Sequence, residues 1–301
     1  MKIKLSLIPA LLMAAISLHA QDAKPGEAFS FLRGDRSPVT SAMAGAGFTL
    51  TDNAAYAAFG NPAISALMEG RVSAGVSYRY WSPGIMDENQ ICASFSVKPM
   101  ERLGVTAGYY RGIQPALDGE VFHANDNNFS IGAAYSVTDN ITVGLNGHYA
   151  MQQLLEDYSL SGFAADASVQ YHAEQFNGAL AVMGLGPKVV SQHSGSYPLP
   201  ASVKLAGDYT LNMESLQLLF AADADYYFSG NYGVSAGASL RIADMFFVRA
   251  GGRYASPACV VPTHLAAGAG VMFKGISLNL SYITLNSAIG NSLMAGLSVS
   301  L

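Results

Sequence analysis

The chain has 301 residues and is 50% hydrophobic, yet only 12% of its residues are charged, which is about half the usual share. Its formal net charge of −5 and its pI near 5.6 argue against a nucleic-acid partner. No uninterrupted apolar run of about 18 residues follows the N-terminal segment, which excludes a bundle of membrane-spanning helices.

The first 20 residues have the features of a secretory signal peptide. Lys2 and Lys4 give a positive start, residues 5–16 form an apolar middle, and residues 18–20 form a small-residue cleavage site. The apolar middle is too short to cross a bilayer as a helix, which disfavours a membrane anchor as the alternative. The sequence therefore predicts an exported chain with residues 1–20 as a cleaved signal peptide.

Residues 21–70 show no strand alternation, and within them residues 41–67 are small, neutral and rich in Gly and Ala. Short helical turns of Ala and Gly have no apolar face wide enough to fold alone. We therefore expect residues 21–70 to pack inside a structure that the rest of the chain builds, and we call this segment the hatch.

Two helix starts are predicted in the hatch. Asp52 or Asn53 can cap a first turn, and Gly60 can end it. Asn61 can cap a second turn that has Pro62 at its first helical position, where a missing N–H costs nothing. An ordinary connector between two helices is the alternative interpretation of this segment.

From residue 71 to the end the hydrophobic pattern has a period of 2, which is typical of β-strands. One face carries Val, Leu, Phe and Tyr, and the other carries Gly, Ser, Asn and the charged residues. The pattern recurs in about fourteen segments: 71–80, 90–98, 103–111, 128–137, 141–151, 162–173, 178–185, 201–211, 216–226, 232–242, 245–254, 264–273, 276–283 and 292–301.

The connections between these segments indicate how the strands are arranged. Every second connection is tight and the others are mostly longer, as in outer-membrane barrels, whose short turns face the periplasm. A soluble β-sandwich is the alternative, but its outward face should be polar. The 31 Gly and 16 Tyr also fit a barrel with tight turns and aromatic girdles. The sequence predicts an all-β fold: a transmembrane antiparallel β-barrel at residues 71–301 with a small N-terminal helical hatch, in the cell outer membrane.

Short motifs along the mature chain resemble the PorV/PorQ family, which is similar to the fourteen-stranded FadL-type transporters. The motifs lie in the hatch and at three later strands: residues 44–48, 51–54, 61–63, 180–187, 199–207 and 248–253. By this resemblance the hatch motif comprises Gly45, Gly47, Asp52, Asn53, Asn61, Pro62 and Ala63. We expect Asn61 to act mainly as a helix cap that fixes the hatch, with the lining of a passage as the alternative.

The resemblance implies a non-catalytic component or shuttle of type IX protein secretion and surface attachment. Its partners would be outer-membrane lipid, the C-terminal domains of secreted cargo and other secretion components. FadL-like relatives instead pass hydrophobic small molecules through the barrel wall, and this transport function is the alternative.

Charged residues with the phase of the inner face are predicted to meet on neighbouring strands. Opposite charges at such positions neutralise one another inside a narrow lumen. We expect a structural ion-pair belt that helps to hold the hatch, with ion selectivity as the alternative. The belt comprises Asp208, Asp223, Asp225, Arg241, Arg249 and Arg253.

Apolar residues in the long loops fit either function, since they suit a partner surface as well as a hydrophobic ligand. The predicted loop contacts are Trp81, Val189, Val190, Val260 and Val261.

No motif indicates catalysis or a cofactor. The chain has no Gly-Xaa-Ser-Xaa-Gly elbow and no phosphate loop. His148 and His172 lack a third ligand at suitable spacing, so we expect hydrogen bonding in the lumen and no metal site. Cys92 and Cys259 are expected to be two lone thiols, with a disulfide in an oxidising compartment as the alternative.

Overall fold

The computed structural model describes residues 26–82, 88–114, 122–191, 195–284 and 290–301. The predicted signal peptide lies outside the described residues. None of the described helices is long and apolar enough to cross a membrane.

Fourteen of the described strands close into one antiparallel barrel, which confirms the predicted fold. In chain order the strands are β1 (Val72–Ser82), β2 (Glu88–Met100), β3 (Leu103–Ile113), β4 (Asn125–Ser136), β5 (Ile141–Leu155), β6 (Tyr158–His172), β7 (Phe176–Leu185), β8 (Val189–Ser191), β9 (Gly195–Tyr197), β10 (Ser202–Asn212), β11 (Leu216–Tyr227), β12 (Tyr232–Ile242), β13 (Phe246–Ala255), β14 (His264–Phe273), β15 (Ile276–Thr284) and β16 (Asn291–Ser300). β1 pairs with β16, so the barrel has no free edge. β8 and β9 form a separate hairpin in the connection between β7 and β10.

The side chains of the barrel alternate between an apolar outer face and a packed, polar inner face. On β5, Leu145 is 64% exposed, whereas the next residue, Asn146, is 3% exposed. The same alternation runs through the other strands, with Val, Leu, Ile, Phe and Tyr outside and Ser, Thr, Asn and charged groups inside. A soluble protein would show the reverse, so the outer face is built to meet lipid.

The two rims of the barrel differ in the length of most of their connections, as predicted, but the predicted long connection between β5 and β6 is only two residues, because both strands extend further toward that rim. Two of the tight turns use left-handed residues, Ala243 and Asp244 between β12 and β13, and Lys274 and Gly275 between β14 and β15. Turns with two successive left-handed residues match the twist of the strands they join. The chain ends at the same rim, where Leu301 O accepts hydrogen bonds from the first residues of the barrel.

The described part of the hatch contains four short helical segments that lie inside the barrel. Ser30–Arg33 and Thr51–Phe59 are 3-10 helices, and Pro38–Ala42 and Ile64–Leu67 are α-helical. Pro38–Ala42 packs on β14 and β15, Thr51–Phe59 on β1 and β2, and Ile64–Leu67 on β3 and β4. The hatch therefore contacts the barrel wall over much of its circumference.

One of the two predicted helix starts is wrong. The segment Thr51–Phe59 is broken at Asn53 and Tyr56, where the backbone is not helical, and among the described residues no backbone N–H donates to the side chain of Asp52 or Asn53. The physical reason is a tertiary hydrogen bond: Asn53 Oδ1 accepts from the hydroxyl of Ser37 at 2.6 Å. Gly60 does follow the last residue of this segment, as predicted.

Glycines inside the strands allow the hatch to approach the wall. A Cβ atom at Gly144 would lie 2.5 Å from the backbone nitrogen of Ala63, and one at Gly251 would lie 2.4 Å from the backbone of Met43. Only glycine fits at these positions, because any side chain would overlap the hatch backbone. Glycine was expected at tight turns, so this packing role is a finding of the structure.

Candidate functional site

A cavity of about 450 Å³ lies between the hatch and the long-loop rim of the barrel. This volume is within the range of small-molecule sites. The hatch contributes Phe31, Phe48, Tyr56 and Phe59 to its lining. The remaining lining is a mixture of charged, amide and apolar side chains from the barrel wall and the loops.

The hatch loop, residues 43–49, is held by acidic side chains of the wall. Asp223 on β11 accepts hydrogen bonds from the backbone N–H groups of Gly47 and Phe48, at 3.1 and 3.2 Å. Asp208 on β10 accepts a hydrogen bond from the hydroxyl of Thr49. Gly47 has φ +108°, a conformation that glycine adopts without strain.

An ion-pair network adjoins this contact. Lys204 Nζ lies 2.7 Å from Asp225 Oδ1 and 3.6 Å from Asp223 Oδ2. Arg253 Nη1 donates to Asp225 Oδ2 at 3.0 Å and to Ser235 Oγ at 3.0 Å. The Ser235 hydroxyl in turn donates to the backbone carbonyl of hatch residue 44 at 2.8 Å. Two cations and two carboxylates thus balance one another beside the hatch loop.

The predicted belt is only partly assembled, because the strand register separates its members. Asp225 and Arg253 form an ion pair, and Lys204, which was left outside the predicted belt, faces Asp225 directly across β10 and β11. Arg253 reaches β11 by crossing Gly233, whose missing side chain leaves the path open. That glycine is the sequence signal for this contact.

The remaining predicted belt residues lie elsewhere. Asp208 contacts the hatch and Asn177, and the structure describes no cation paired with it. Arg249 donates to Asn279 Oδ1 at 2.8 Å. Arg241 lies at the tight-turn rim, 3.4 Å from Asp244, because its partner in the register is Gln217 and not an aspartate.

Asn61 both caps a helical turn and ties the hatch to the wall. Its Oδ1 accepts from Ala63 N at 3.1 Å, as predicted for a cap, and from Ser168 Oγ at 2.7 Å. Its Nδ2 donates to Gln170 Oε1 at 2.6 Å, and Gln170 Nε2 donates to Thr49 O at 2.9 Å. The motif therefore connects two parts of the hatch through β6.

A second tie joins the hatch to β1. The hydroxyl of Tyr56 donates to Val76 O at 2.9 Å. Burial raises the pKa of Tyr56, so this phenol remains a protonated donor at any physiological pH. This hydrogen bond between the hatch and β1 is therefore insensitive to pH.

The barrel wall is irregular between β6 and β7. Their register shifts between Ala165 and Ala167, and Gly184 at the end of β7 has φ +66°. Asp166 holds this bulge, accepting from Gly184 N at 2.7 Å and from His148 Nε2 at 2.8 Å.

Beyond the bulge the wall is closed by side-chain packing. The pairing of β7 with β10 ends at Met183 opposite Ser202. From there toward the long-loop rim, Leu199, Val189 and Phe29 pack with Leu160 in an apolar cluster. Apolar contacts thus take the place of the strand hydrogen bonds that close the rest of the wall.

The predicted loop contacts do not form one surface. Trp81, Val260 and Val261 are placed at the cavity, with Trp81 on β1 and the two valines in the connection between β13 and β14. Val189 is buried in the apolar cluster, whereas Val190 points outward. These residues therefore divide between a cavity lining and a packed cluster.

Histidine and cysteine side chains are held in structural contacts. His148 is bonded to Asp166, and His172 Nδ1 lies 2.5 Å from Asn177 Oδ1. Cys92 and Cys259 are both free and buried. In the part of the chain that the structure describes, no three His, Cys, Asp or Glu side chains are grouped in a way that would hold a metal ion.

The chain matches no protein-family model and no curated protein. Its structure is similar to CymD, a monoaromatic hydrocarbon channel, with a TM-score of 0.62 and 15% identity over 88% of this chain and 97% of the other. It is also similar to the Pseudomonas putida toluene transporter TodX, with a TM-score of 0.59 and 13% identity over 93% of this chain and 99% of the other. A Pseudomonas aeruginosa FadL homologue is similar with a TM-score of 0.54 and 12% identity over 88% of this chain and 95% of the other. The fold is that of the FadL-type channels.

These likenesses bear on the two functions left open by the sequence. They support the FadL-like part of the sequence resemblance, and nothing in them confirms an assignment to the PorV/PorQ family. At 12–15% identity they show the fold alone. Function must therefore be argued from the cavity and the hatch.

Proposed function

We propose that the protein is an outer-membrane channel for hydrophobic small molecules. The observation that carries the proposal is the cavity of about 450 Å³ between the hatch and the long-loop rim of a closed barrel. A cavity of this size suits a ligand of one or two rings. The similar proteins include a monoaromatic hydrocarbon channel and a toluene transporter, which supports the same ligand class.

The bulge between β6 and β7 supplies a route out of the cavity. Met183 and Gly184 line the cavity at the point where β7 leaves β10. The closure beyond that point depends on Leu199 and its apolar neighbours, which can separate without breaking strand hydrogen bonds. An apolar ligand would thus leave sideways through the wall, while the hatch keeps the barrel axis closed.

The test is uptake of radiolabelled toluene by cells of a Gram-negative host whose own channels of this type have been deleted. We expect uptake above the empty-vector level, and we expect Met183→Trp to abolish it because the indole fills the cavity beside the bulge. Met213→Trp is the matched control, since Met213 is exposed at a tight turn. Uptake at the vector level with the unaltered chain, or equal uptake by both variants, would contradict the proposal.

A shuttle role in type IX secretion is supported only by the resemblance of the sequence motifs to the PorV/PorQ family. It predicts that the purified protein captures the C-terminal domain of a secreted cargo protein. Capture of that domain together with toluene uptake at the vector level would favour secretion over transport.

A further inference from the structure

One side of the cavity is rich in hydrogen-bond acceptors that lack a cationic partner. Glu88 on β2 and Asp126 on β4 both line it. Among the described residues neither forms an ion pair, in contrast to Asp223 and Asp225, which are paired with Lys204. Carboxylates inside a protein are costly without a counter-charge, so this side of the cavity needs an explanation.

Neutral amides donate hydrogen bonds to only one oxygen of each of these two carboxylates. Gln90 Nε2 donates to Glu88 Oε1 at 2.8 Å, and Gln152 Nε2 donates to Asp126 Oδ1 at 2.9 Å. The neighbouring cation, Arg36, donates to Gln90 Oε1 at 3.1 Å and reaches Glu88 only through that amide. Two carboxylates and one guanidinium leave an excess of one negative charge.

The other charges that line the cavity do not remove this excess. Arg33 lines it too but is paired with Glu27 at 2.6 Å, and Arg79 and Asp35 contribute one charge of each sign. Asp166 is bonded to His148, and the Lys204–Asp225 network is internally balanced. The excess therefore remains on the side formed by β2 and β4.

A buried amide points to the same place independently. Asn128 is only 3% exposed and lines the cavity on β4, two residues from Asp126. Its Nδ2 donates to His148 Nδ1 at 3.3 Å, but its Oδ1 has no hydrogen-bond partner among the described residues. An acceptor buried without a partner costs about 1–3 kcal/mol, which a ligand that donates a hydrogen bond would recover.

We propose that Glu88, Asp126 and Asn128, which we call the acceptor corner, bind the ammonium group of an amphipathic amine. The inference rests on the proposed function and narrows its ligand class from hydrophobic molecules to those that carry an amine. Phe31 and Phe59 line the same cavity and supply apolar surface for the body of the ligand. An ammonium group supplies the missing positive charge and up to three donors for the three acceptors.

The chain carries its own optical probe for this cavity. Trp81 is the only tryptophan in the sequence, and it lies in the cavity lining. Its fluorescence can be followed while the detergent-solubilised full chain is titrated at neutral pH with benzylamine, toluene or phenylacetate. These three probes share a ring and differ in carrying a cation, no charge or an anion. We expect benzylamine to bind at least about tenfold more tightly than toluene or phenylacetate.

The variants E88Q and D126N keep the size of each side chain and remove its charge. We expect each to lower the ratio of benzylamine affinity to toluene affinity about tenfold. D139N is the matched control, because Asp139 is an exposed carboxylate at a tight turn. We expect it to leave the ratio unchanged.

Each outcome has one meaning. If toluene binds as tightly as benzylamine, the acceptor corner is contradicted and the proposed function stands. If phenylacetate binds more tightly than benzylamine, the same conclusion follows. A preference that survives in both E88Q and D126N also contradicts it. Binding of none of the three probes contradicts the proposed function as well. The comparison of probes on the unaltered chain needs no variant, so the inference stays testable if a variant fails to fold.

Discussion

Asp223 is the residue whose side chain holds the hatch loop by its backbone. The variant D223A leaves the N–H groups of Gly47 and Phe48 buried without an acceptor, at about 1–3 kcal/mol each. We expect faster hydrogen exchange at these two amides and faster proteolysis within residues 43–49. The barrel should keep its heat-modifiable gel migration, since no strand pairing is lost.

The control for this variant is Asp139→Ala, which removes an exposed carboxylate at a tight turn. Unchanged exchange at both hatch amides in D223A would show that other contacts hold the loop.

Asn61 offers a second test of how the hatch is held, because its side-chain amide both caps a helical turn and bonds to the barrel wall. Asn61→Ala removes the cap on Ala63 N and the bonds to Ser168 and Gln170. We expect a loss of about 1–3 kcal/mol in stability, measured as a lower unfolding temperature of the purified protein. A variant with unchanged stability but altered toluene uptake would instead place Asn61 in the passage.

At this scale the sequence predicted which side chains face inward but not which of them meet. The period of 2 is enough to place Asp225, Arg253 and Lys204 in the lumen. Their contact depends on the register between β10 and β11 and on the open path over Gly233. Neither feature can be derived from one amino-acid sequence. The acceptor corner was missed for a different reason: Glu88 and Asp126 lie at strand ends that the pattern had assigned to loops.

At the scale of elements, the bulge of β6 and β7 is the feature that most clearly departs from a regular barrel. Gly184→Ala should strain it, because φ is +66° there and a Cβ atom would lie 2.7 Å from Pro200 O. We expect a destabilisation of about 1 kcal/mol or more and altered toluene uptake.

The matched substitution for this bulge is Gly147→Ala, since a Cβ at Gly147 would meet its first neighbour only at 3.9 Å. It should have little effect on stability, measured by thermal unfolding in detergent. Equal unfolding temperatures for the two variants would mean that the bulge relaxes freely.

Elements with a clear period were predictable, and those without one were not. Fourteen barrel strands follow from alternation, because each has one face toward lipid and one toward the lumen. The hairpin of β8 and β9 has three residues per strand, too few to show a period. The 3-10 segment Thr51–Phe59 starts where tertiary contacts place it, since Asn53 bonds to Ser37 instead of capping a helix.

At the scale of the whole molecule, the outer face determines whether the chain belongs in a bilayer. Leu280 lies at the centre of β15 and is 47% exposed, whereas Leu155 ends β5 at the long-loop rim and is 61% exposed. Arginine on the lipid face costs about 2–4 kcal/mol at the midplane of a bilayer and about 0–1 kcal/mol near its surface. In water the cost would not depend on the position along the strand.

We therefore expect Leu280→Arg to lower the free energy of unfolding in lipid vesicles by about 2–4 kcal/mol and Leu155→Arg to lower it by less than about 1 kcal/mol. Denaturant titration of vesicle-inserted protein, followed by gel migration, measures both. Equal effects of the two variants would show that the apolar band does not face lipid. Because the hatch, the cavity and the side route all presuppose a wall set in lipid, that result would remove the basis for transport as well.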